Sequence, residues 1–160
     1  MGRETYNEKI SSRKTEALFV ALTVLFLILF VLRWLNVGWH GWTITFLCIA
    51  AFFLFYVFNY QTLRIYLTPV TLQLTFGIFT WKIALANIEA CYLDTPSIGS
   101  IGGAGIHFTW IKGNYRAFFN FLEYPRVVIG LKKKKGPVQE IAFTTRHPEQ
   151  VMKIIQNSIS

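Results

Sequence analysis

Two long stretches without a charged residue constrain this chain more than any other feature. No charge occurs between residues 17 and 32 or between residues 41 and 59. At about 1.5 Å per residue, the apolar segments 17–35 and 42–60 would each reach about 28 Å as helices, close to the hydrocarbon thickness of a bilayer, about 30 Å. The sequence therefore predicts a two-helix transmembrane hairpin over residues 17–60.

The connection between the two predicted spans, residues 36–41, contains two glycines and permits a tight reversal. The helices are therefore expected to be antiparallel neighbours. A cleavable signal peptide is the competing interpretation of the first span. It is disfavoured because the apolar run is too long and ends with Arg33 and Trp34 rather than with the small residues of a cleavage site. Because the spans contain no Asp, Glu or Lys, the hairpin is expected to anchor the chain rather than to form a transport path.

Basic residues flank the hairpin on its two outer sides. Four precede the first span and one follows the second, whereas only Arg33 lies near the connecting turn; the five are Arg3, Lys9, Arg13, Lys14 and Arg64. The bias of Lys and Arg toward cytoplasmic loops predicts that both termini are cytoplasmic. The chain is thus expected in the cell membrane as a multi-pass protein with two spans, residues 1–16 being a cytoplasmic N-terminal segment.

The remaining residues, 61–160, have the pattern of a β-rich cytoplasmic domain. Strict alternation in Val70-Thr71-Leu72-Gln73-Leu74-Thr75-Phe76 is typical of a half-buried strand, and similar segments predict about seven antiparallel strands. Near the C-terminus the apolar period changes at Val151, Ile154, Ile155 and Ile159, after Pro148 at a helix start. The pattern favours an all-β barrel of the pleckstrin-homology (PH) type, capped by one C-terminal α-helix.

Several motifs resemble the bacterial PH-like domains. They are Leu67-Thr68-Pro69 through Leu74, Phe76-Gly77-Ile78-Phe79, Ile83-Ala84-Leu85-Ala86-Asn87-Ile88-Glu89, Gly103-Ala104-Gly105-Ile106, Pro125-Arg126-Val127-Val128-Ile129 and Thr144-Thr145-Arg146-His147-Pro148-Glu149. Ala84 stands where that family often has proline. The resemblance covers about residues 63–157, and members of this family commonly follow a pair of transmembrane helices. It implies a PH-like domain anchored by an N-terminal hairpin.

The sharpest electrostatic feature is the run Lys132-Lys133-Lys134-Lys135, which precedes Gly136 and Pro137 and is predicted to form a hairpin loop. The domain carries 11 basic and 5 acidic residues, a net charge of +6. A solvated turn is one interpretation of the lysine run. The other is contact with anionic phospholipid, to which Arg64 and Lys82 would add if they lie on the same side.

Other candidate sites have weak support in the sequence. The glycine-rich segment 99–105 precedes an alternating strand rather than a helix and lacks Gly-Lys-Ser/Thr, so an inter-strand loop is favoured over a phosphate site. Glu89, Asp94 and His107 form no recognisable catalytic pattern. Cys48 and Cys91 lack metal or disulfide spacing and are expected to be buried reduced thiols. No catalytic residue, cofactor, metal or nucleic-acid partner is predicted.

These observations leave three functions open. The first is a non-catalytic, membrane-anchored interaction or scaffolding module whose partner is another protein or a second copy of the chain. The second is a sensor of anionic lipid headgroups that uses the lysine run. The third is a subunit of a membrane enzyme or transporter, against which the uncharged spans argue.

Overall fold

The computed structural model describes residues 6–94 and 103–159. In chain order the elements are β1 (Tyr6–Ser11), α1 (Arg13–Val37), α2 (Gly41–Asn59), β2 (Thr62–Leu67), β3 (Thr71–Phe76), β4 (Phe79–Ala84), a 3₁₀ turn (Leu85–Asn87), β5 (Ile88–Asp94), β6 (Gly105–Ile111), β7 (Asn114–Asn120), β8 (Arg126–Lys135), β9 (Val138–Thr144) and α3 (Pro148–Ile159).

The helices α1 and α2 form the expected pair, joined by a short turn at Gly38, whose φ is +69°. The hydroxyl of Ser12 caps α1 by accepting a hydrogen bond from the backbone N–H of Thr15 at 3.1 Å. Only 11% of the most apolar stretch of each helix is buried within the protein. A core helix of a water-soluble domain would be mostly buried, so these two helices have both the length and the exposed apolar surface of membrane spans.

The first sheet has the strand order β1-β2-β3-β4, with every neighbouring pair antiparallel. Its edge strand β1 comes from the N-terminal segment, to which the sequence analysis assigned no structure. Ser11 pairs with Thr62, so the chain leaves the sheet at one residue, forms both helices, and re-enters the sheet beside the point of departure. The domain is therefore joined to both helices through adjacent strands.

The second sheet has the order β5-β8-β9-β7-β6. Strands β7 and β9 run parallel, with Ala117 opposite Ile141, whereas the other pairs are antiparallel. The prediction of a barrel of about seven antiparallel strands is wrong in three respects. The described residues form nine strands, the strands form two separate sheets with no closed barrel, and one pair is parallel because β9 inserts between β8 and β7.

The lysine run is not the loop that the sequence analysis predicts. Lys132–Lys135 is the last part of β8, and the chain reverses only at Gly136 and Pro137, where Gly136 has a φ of +62°. The side chain of Asn87 holds this extension of β8. Its amide donates to the carbonyl of Lys133 at 3.0 Å and its oxygen accepts from the N–H of Lys133 at 2.8 Å.

One hydrophobic core lies between the two sheets, and α3 covers part of it. Val151 and Ile155 are fully buried, and Gln156 donates to the carbonyl of Cys91 at 3.3 Å. This confirms the predicted C-terminal amphipathic helix. Its apolar stripe packs on the second sheet beside β5.

The β3–β4 turn lies against the end of α2. Gly77 has a φ of +59°, and a Cβ atom at this position would collide with the backbone carbonyl of Asn59. Nearby, the ring of Tyr60 packs on Phe76 with centroids 4.9 Å apart. The turn and the helix end are therefore fitted closely, and the domain meets the hairpin without a linker.

Candidate functional site

Five of the six basic residues that the sequence analysis selected surround one surface cavity. The cavity has a volume of about 500 Å³ and lies where β4, the 3₁₀ turn and the extension of β8 meet. Lys82 contributes from β4, and Lys132 to Lys135 contribute from β8. We call these five lysines the basic rim. All five side chains are exposed, so their charges are available to a partner.

Lys135 differs from the other members of the basic rim in its surroundings. Its ammonium group donates to the carbonyl of Lys82 at 2.9 Å and lies 5.1 Å from the centre of the Trp81 ring. Partial burial against this ring lowers the pKa of Lys135 from its ordinary value, because removal of water penalises the charged form. The cation therefore lacks part of its hydration and has no carboxylate partner among the described residues.

Arg64 is separate from the basic rim. It lies in β2 on the outward face of the first sheet, directly opposite Lys9 of β1. Lys82 is on the same face but pairs with Gln73, which in turn pairs with Tyr66. Tyr66 is four residues beyond Thr62, the residue at which the chain leaves the helices, so Lys82 lies about 13 Å along the strands from that junction.

Lys133 lies still farther from the junction, whereas the ammonium group of Lys135 comes back to Lys82 and Trp81. Asn87, which holds Lys133, comes after the end of β4 at Ala84, and Ala84 pairs with Thr71 at the end of the sheet remote from the helices. The basic rim thus begins more than one Debye length, about 8 Å, from the helix ends. The outward positions of the four strands of this sheet hold Lys9, Arg64 and Lys82 but no acid.

An apolar groove lies beside the basic rim, between β4 at the edge of the first sheet and β6 at the edge of the second. We call it the edge groove. It encloses about 460 Å³, and its apolar walls are Tyr60, Phe79, Trp81, Ile106, Phe108 and Phe119, with Thr80 and Lys135 also lining it. Sequence reasoning missed this site, because Ile106, Phe108 and Trp110 alternate as core residues do. Phe108 and Trp110 are instead 47% and 66% exposed, since β6 is the edge strand of a sheet that does not join the first.

A buried cluster of charges occupies the outward side of the second sheet. The guanidinium of Arg116, 4% exposed, contacts Glu140 at 2.7 Å and Asp94 at 3.2 Å. Arg126 lies 3.4 Å from the second oxygen of Asp94, and Tyr92 and Asn114 donate to Glu140 at 3.1 and 2.9 Å. Burial, more than the neighbouring Glu140, raises the pKa of Tyr92, and burial lowers the pKa of Arg126. The carboxylates are neutralised by arginines, so the cluster resembles a structural ion network.

A second buried carboxylate connects the N-terminal strand to the segment before α3. Glu8 accepts from the Tyr6 hydroxyl at 2.7 Å, from the Thr145 hydroxyl at 2.6 Å and from the Arg146 N–H at 3.0 Å. Burial, followed by the hydrogen bond to Glu8, raises the pKa of Tyr6. These contacts explain why β1 is held at the edge of the sheet although one of its inward positions is charged.

The remaining candidates stay apart from one another. Asp94 belongs to the buried charge cluster, Glu89 is exposed on β5, and His107 stacks on Phe118 with ring centroids 4.8 Å apart. Within residues 6–94 and 103–159, no three His, Cys, Asp or Glu side chains are grouped as metal ligands. Cys91 is buried as expected, whereas Cys48 is exposed on α2. Residues 99–102 of the glycine-rich segment, and Arg3, lie outside the described residues.

The sequence matches no known family of proteins, and searches of curated proteins and of solved structures likewise found nothing similar.

Proposed function

We propose that this chain is a non-catalytic, membrane-anchored interaction module, in which the hairpin spans the cell membrane and a PH-like domain presents the basic rim to an acidic protein partner at the cytoplasmic face. The observation that carries the proposal is the position of the basic rim. It lies on a domain joined to both helices through adjacent strands, at the end remote from the junction.

Charge and distance favour a protein partner over the chain's own bilayer. Attraction between a lysine and anionic headgroups falls off within about one Debye length, and the basic rim begins beyond that distance. Lys9, Arg13, Lys14 and Arg64 instead lie at or near the domain-side ends of the helices, where they suit the headgroup region. An acidic surface on another protein can reach the basic rim without competition from the membrane.

The PH-like assignment and the orientation belong to the same proposal. Two apolar helices, two sheets and a C-terminal helix are compatible with a hairpin-anchored PH-like domain, although the strand order departs from a simple barrel. The basic residues beside α1 and β2 support cytoplasmic termini. A cysteine introduced at Gly38 is expected to react with an impermeant thiol reagent on intact cells. Labelling only after lysis would show that the orientation is the opposite of the one proposed.

The test of function separates the protein partner from the lipid headgroup. The full chain is placed in nanodiscs with and without anionic lipid, and photo-crosslinkers are introduced at Lys133 and, as a matched position near the helices, at Arg64. After addition of a cytosolic extract, crosslinks from position 133 to one acidic protein, lost when Lys132 and Lys134 are both changed to Gln, support the interaction module. Lipid adducts at position 133 that increase with anionic lipid and decrease with salt would support the headgroup sensor instead.

A further inference from the structure

We propose that the edge groove binds the acyl chain of a single-chain anionic lipid that enters from the bilayer, with the carboxylate or phosphate of that lipid on the ammonium group of Lys135. This lipid site shares only Lys135 with the basic rim and goes beyond the protein-binding role proposed for that rim. It rests on the shape, the position and the charge of the edge groove.

The walls of the edge groove are suited to a hydrocarbon chain. Trp81 forms its centre, 5.6 Å from the ring of Phe119 and 6.2 Å from the ring of Phe108. Phe79 and Phe108 are 45% and 47% exposed although both are at inward-facing positions of their strands. Apolar side chains left open to water in a concave site favour an apolar ligand, and a volume of about 460 Å³ lies in the ordinary range for such ligands, about 300–1,000 Å³.

One end of the edge groove meets the membrane hairpin. Tyr60 directly follows the last residue of α2 and stacks on Phe79 with ring centroids 6.4 Å apart. On the other wall, a Cβ atom at Gly105 would lie 3.3 Å from the ring of Tyr56, so the start of β6 also lies against this helix. A lipid chain can therefore pass from the bilayer along α2 into the edge groove without crossing water, and this continuity selects a membrane lipid over a soluble ligand.

The other end of the edge groove supplies a positive charge. Lys135 is the one charged side chain among the eight lining residues, and burial against Trp81 has removed part of its water. An anionic headgroup would replace the lost hydration with a charge-assisted hydrogen bond. The site encloses about 460 Å³ and has one cation at the end remote from the membrane, so it fits one acyl chain with one anionic head rather than a zwitterionic two-chain phospholipid.

The experiment uses the full chain in nanodiscs of phosphatidylcholine and palmitate that carries a photoactivatable diazirine in mid-chain. After irradiation and proteolysis, mass spectrometry locates the adducts. We expect adducts in β4 and β6 in addition to those in α1 and α2, which any lipid in the bilayer would produce. Adducts confined to the two helices would overturn the proposal.

Two matched pairs of variants test the role of charge and of the wall. Lys135→Gln is expected to reduce the β4 and β6 adducts about tenfold, whereas Lys134→Gln, one residue away and outside the edge groove, leaves them unchanged. Phe108→Asp is expected to abolish them. Trp110→Asp, on the same face of β6 but outside the lining, retains them. The helix adducts serve as an internal standard for insertion of each variant, and amide hydrogen exchange of β7 and β9 shows whether its domain is folded. Equal effects within either pair of folded variants would overturn the site.

Competition identifies the ligand class. Lysophosphatidate is expected to displace the palmitate probe from β4 and β6, whereas zwitterionic lysophosphatidylcholine and short-chain hexanoate are not. Equal displacement by lysophosphatidylcholine would show that the charge is not recognised, and displacement by hexanoate would show a soluble ligand. Either result, or protection of the edge groove by crosslinking to a peptide strand or a second copy, would contradict the proposal.

Discussion

The two sheets of the domain differ in which of their faces are buried. In the first sheet, inward and outward positions alternate along β1, β2 and β3, so one face is buried and the other is wet. In the second sheet, five successive residues of β7 are buried, and β9 and the first half of β8 are also buried on both faces. The second sheet can bury its outward face only by neutralising the charges that lie there.

The largest effect is expected from breaking the charge cluster of the second sheet. Arg116→Met removes the guanidinium that neutralises Glu140 and that, together with Arg126, neutralises Asp94. A buried carboxylate left without its partner costs about 3 to 5 kcal/mol. Amide hydrogen exchange of β7 and β8 in detergent micelles would measure the loss in the free energy of unfolding. The matched change on the wet face of the first sheet, Arg64→Met, is expected to cost less than about 0.5 kcal/mol. Equal losses would contradict the contrast between the sheets.

The next effect concerns the one buried charge of the first sheet. Glu8→Ala leaves the hydroxyls of Tyr6 and Thr145 and the N–H of Arg146 without their acceptor, at an expected cost of about 2 kcal/mol. Faster amide hydrogen exchange in β1 and at residues 145–146 would measure this loss of stability. The neighbouring exposed change, Lys9→Ala, is the control, and it should leave exchange at residues 145–146 as it is.

A smaller effect of pH on stability is expected from the buried thiol of Cys91, on the inner face of the second sheet. Burial raises the pKa of the Cys91 thiol from 9.0 to about 12. Below pH 9 the thiol is protonated in both the folded and the unfolded chain. Above pH 9 only the unfolded chain loses the proton readily, so the free energy of unfolding falls as pH rises toward 12. At pH 10 the expected loss is about 1.4 kcal/mol. Denaturation at pH 8 and pH 10 would measure it, and a Cys91→Ala variant with an equal pH dependence would contradict the assignment.

The smallest effect lies on the wet face of the first sheet. Lys9 and Arg64 are directly opposite each other, and like charges in this position are unfavourable. Lys9→Glu is expected to stabilise the domain by about 0.5 kcal/mol at low salt, with a smaller gain at high salt because the pair is exposed. Asn7→Glu, which lies opposite Tyr66, is the matched control. A gain from Lys9→Glu that does not change with salt would show that pairing with Arg64 is not its cause.

The same contrast explains which elements the sequence could predict. The strand β3 was predictable because Leu72, Leu74 and Phe76 repeat at every second residue, the period of a strand with one buried face. The helix α3 was predictable because Val151 and Ile155 are four residues apart, on one face of a helix. The strand β1 was missed because Glu8 occupies an inward position. The strand end at Lys132–Lys135 was missed because four charges resemble a turn, whereas its structure depends on Asn87, 46 positions away from Lys133.

The candidate sites depended even more on tertiary structure. The meeting of Arg116 with Glu140 requires β7 and β9 to be parallel neighbours, which no local pattern indicates. The edge groove exists because the two sheets do not close, and the alternation of Phe108 and Trp110 is the same in a closed and an open arrangement. Lys82 and the lysine run are adjacent in the fold, as the sequence analysis allowed, but Arg64 is not beside them.

The pairing of β1 with β2 has a consequence for the biogenesis of this chain. The N-terminal strand leaves the ribosome before both hydrophobic helices, and its partner β2 emerges only after them, so β1 remains an unpaired strand until both helices have been synthesised. In the proposed membrane-spanning arrangement, Ser11 and Thr62 must meet on one side of the bilayer, so the two helices have to insert as a pair. Translocation of the N-terminus would then leave the first sheet without its edge strand.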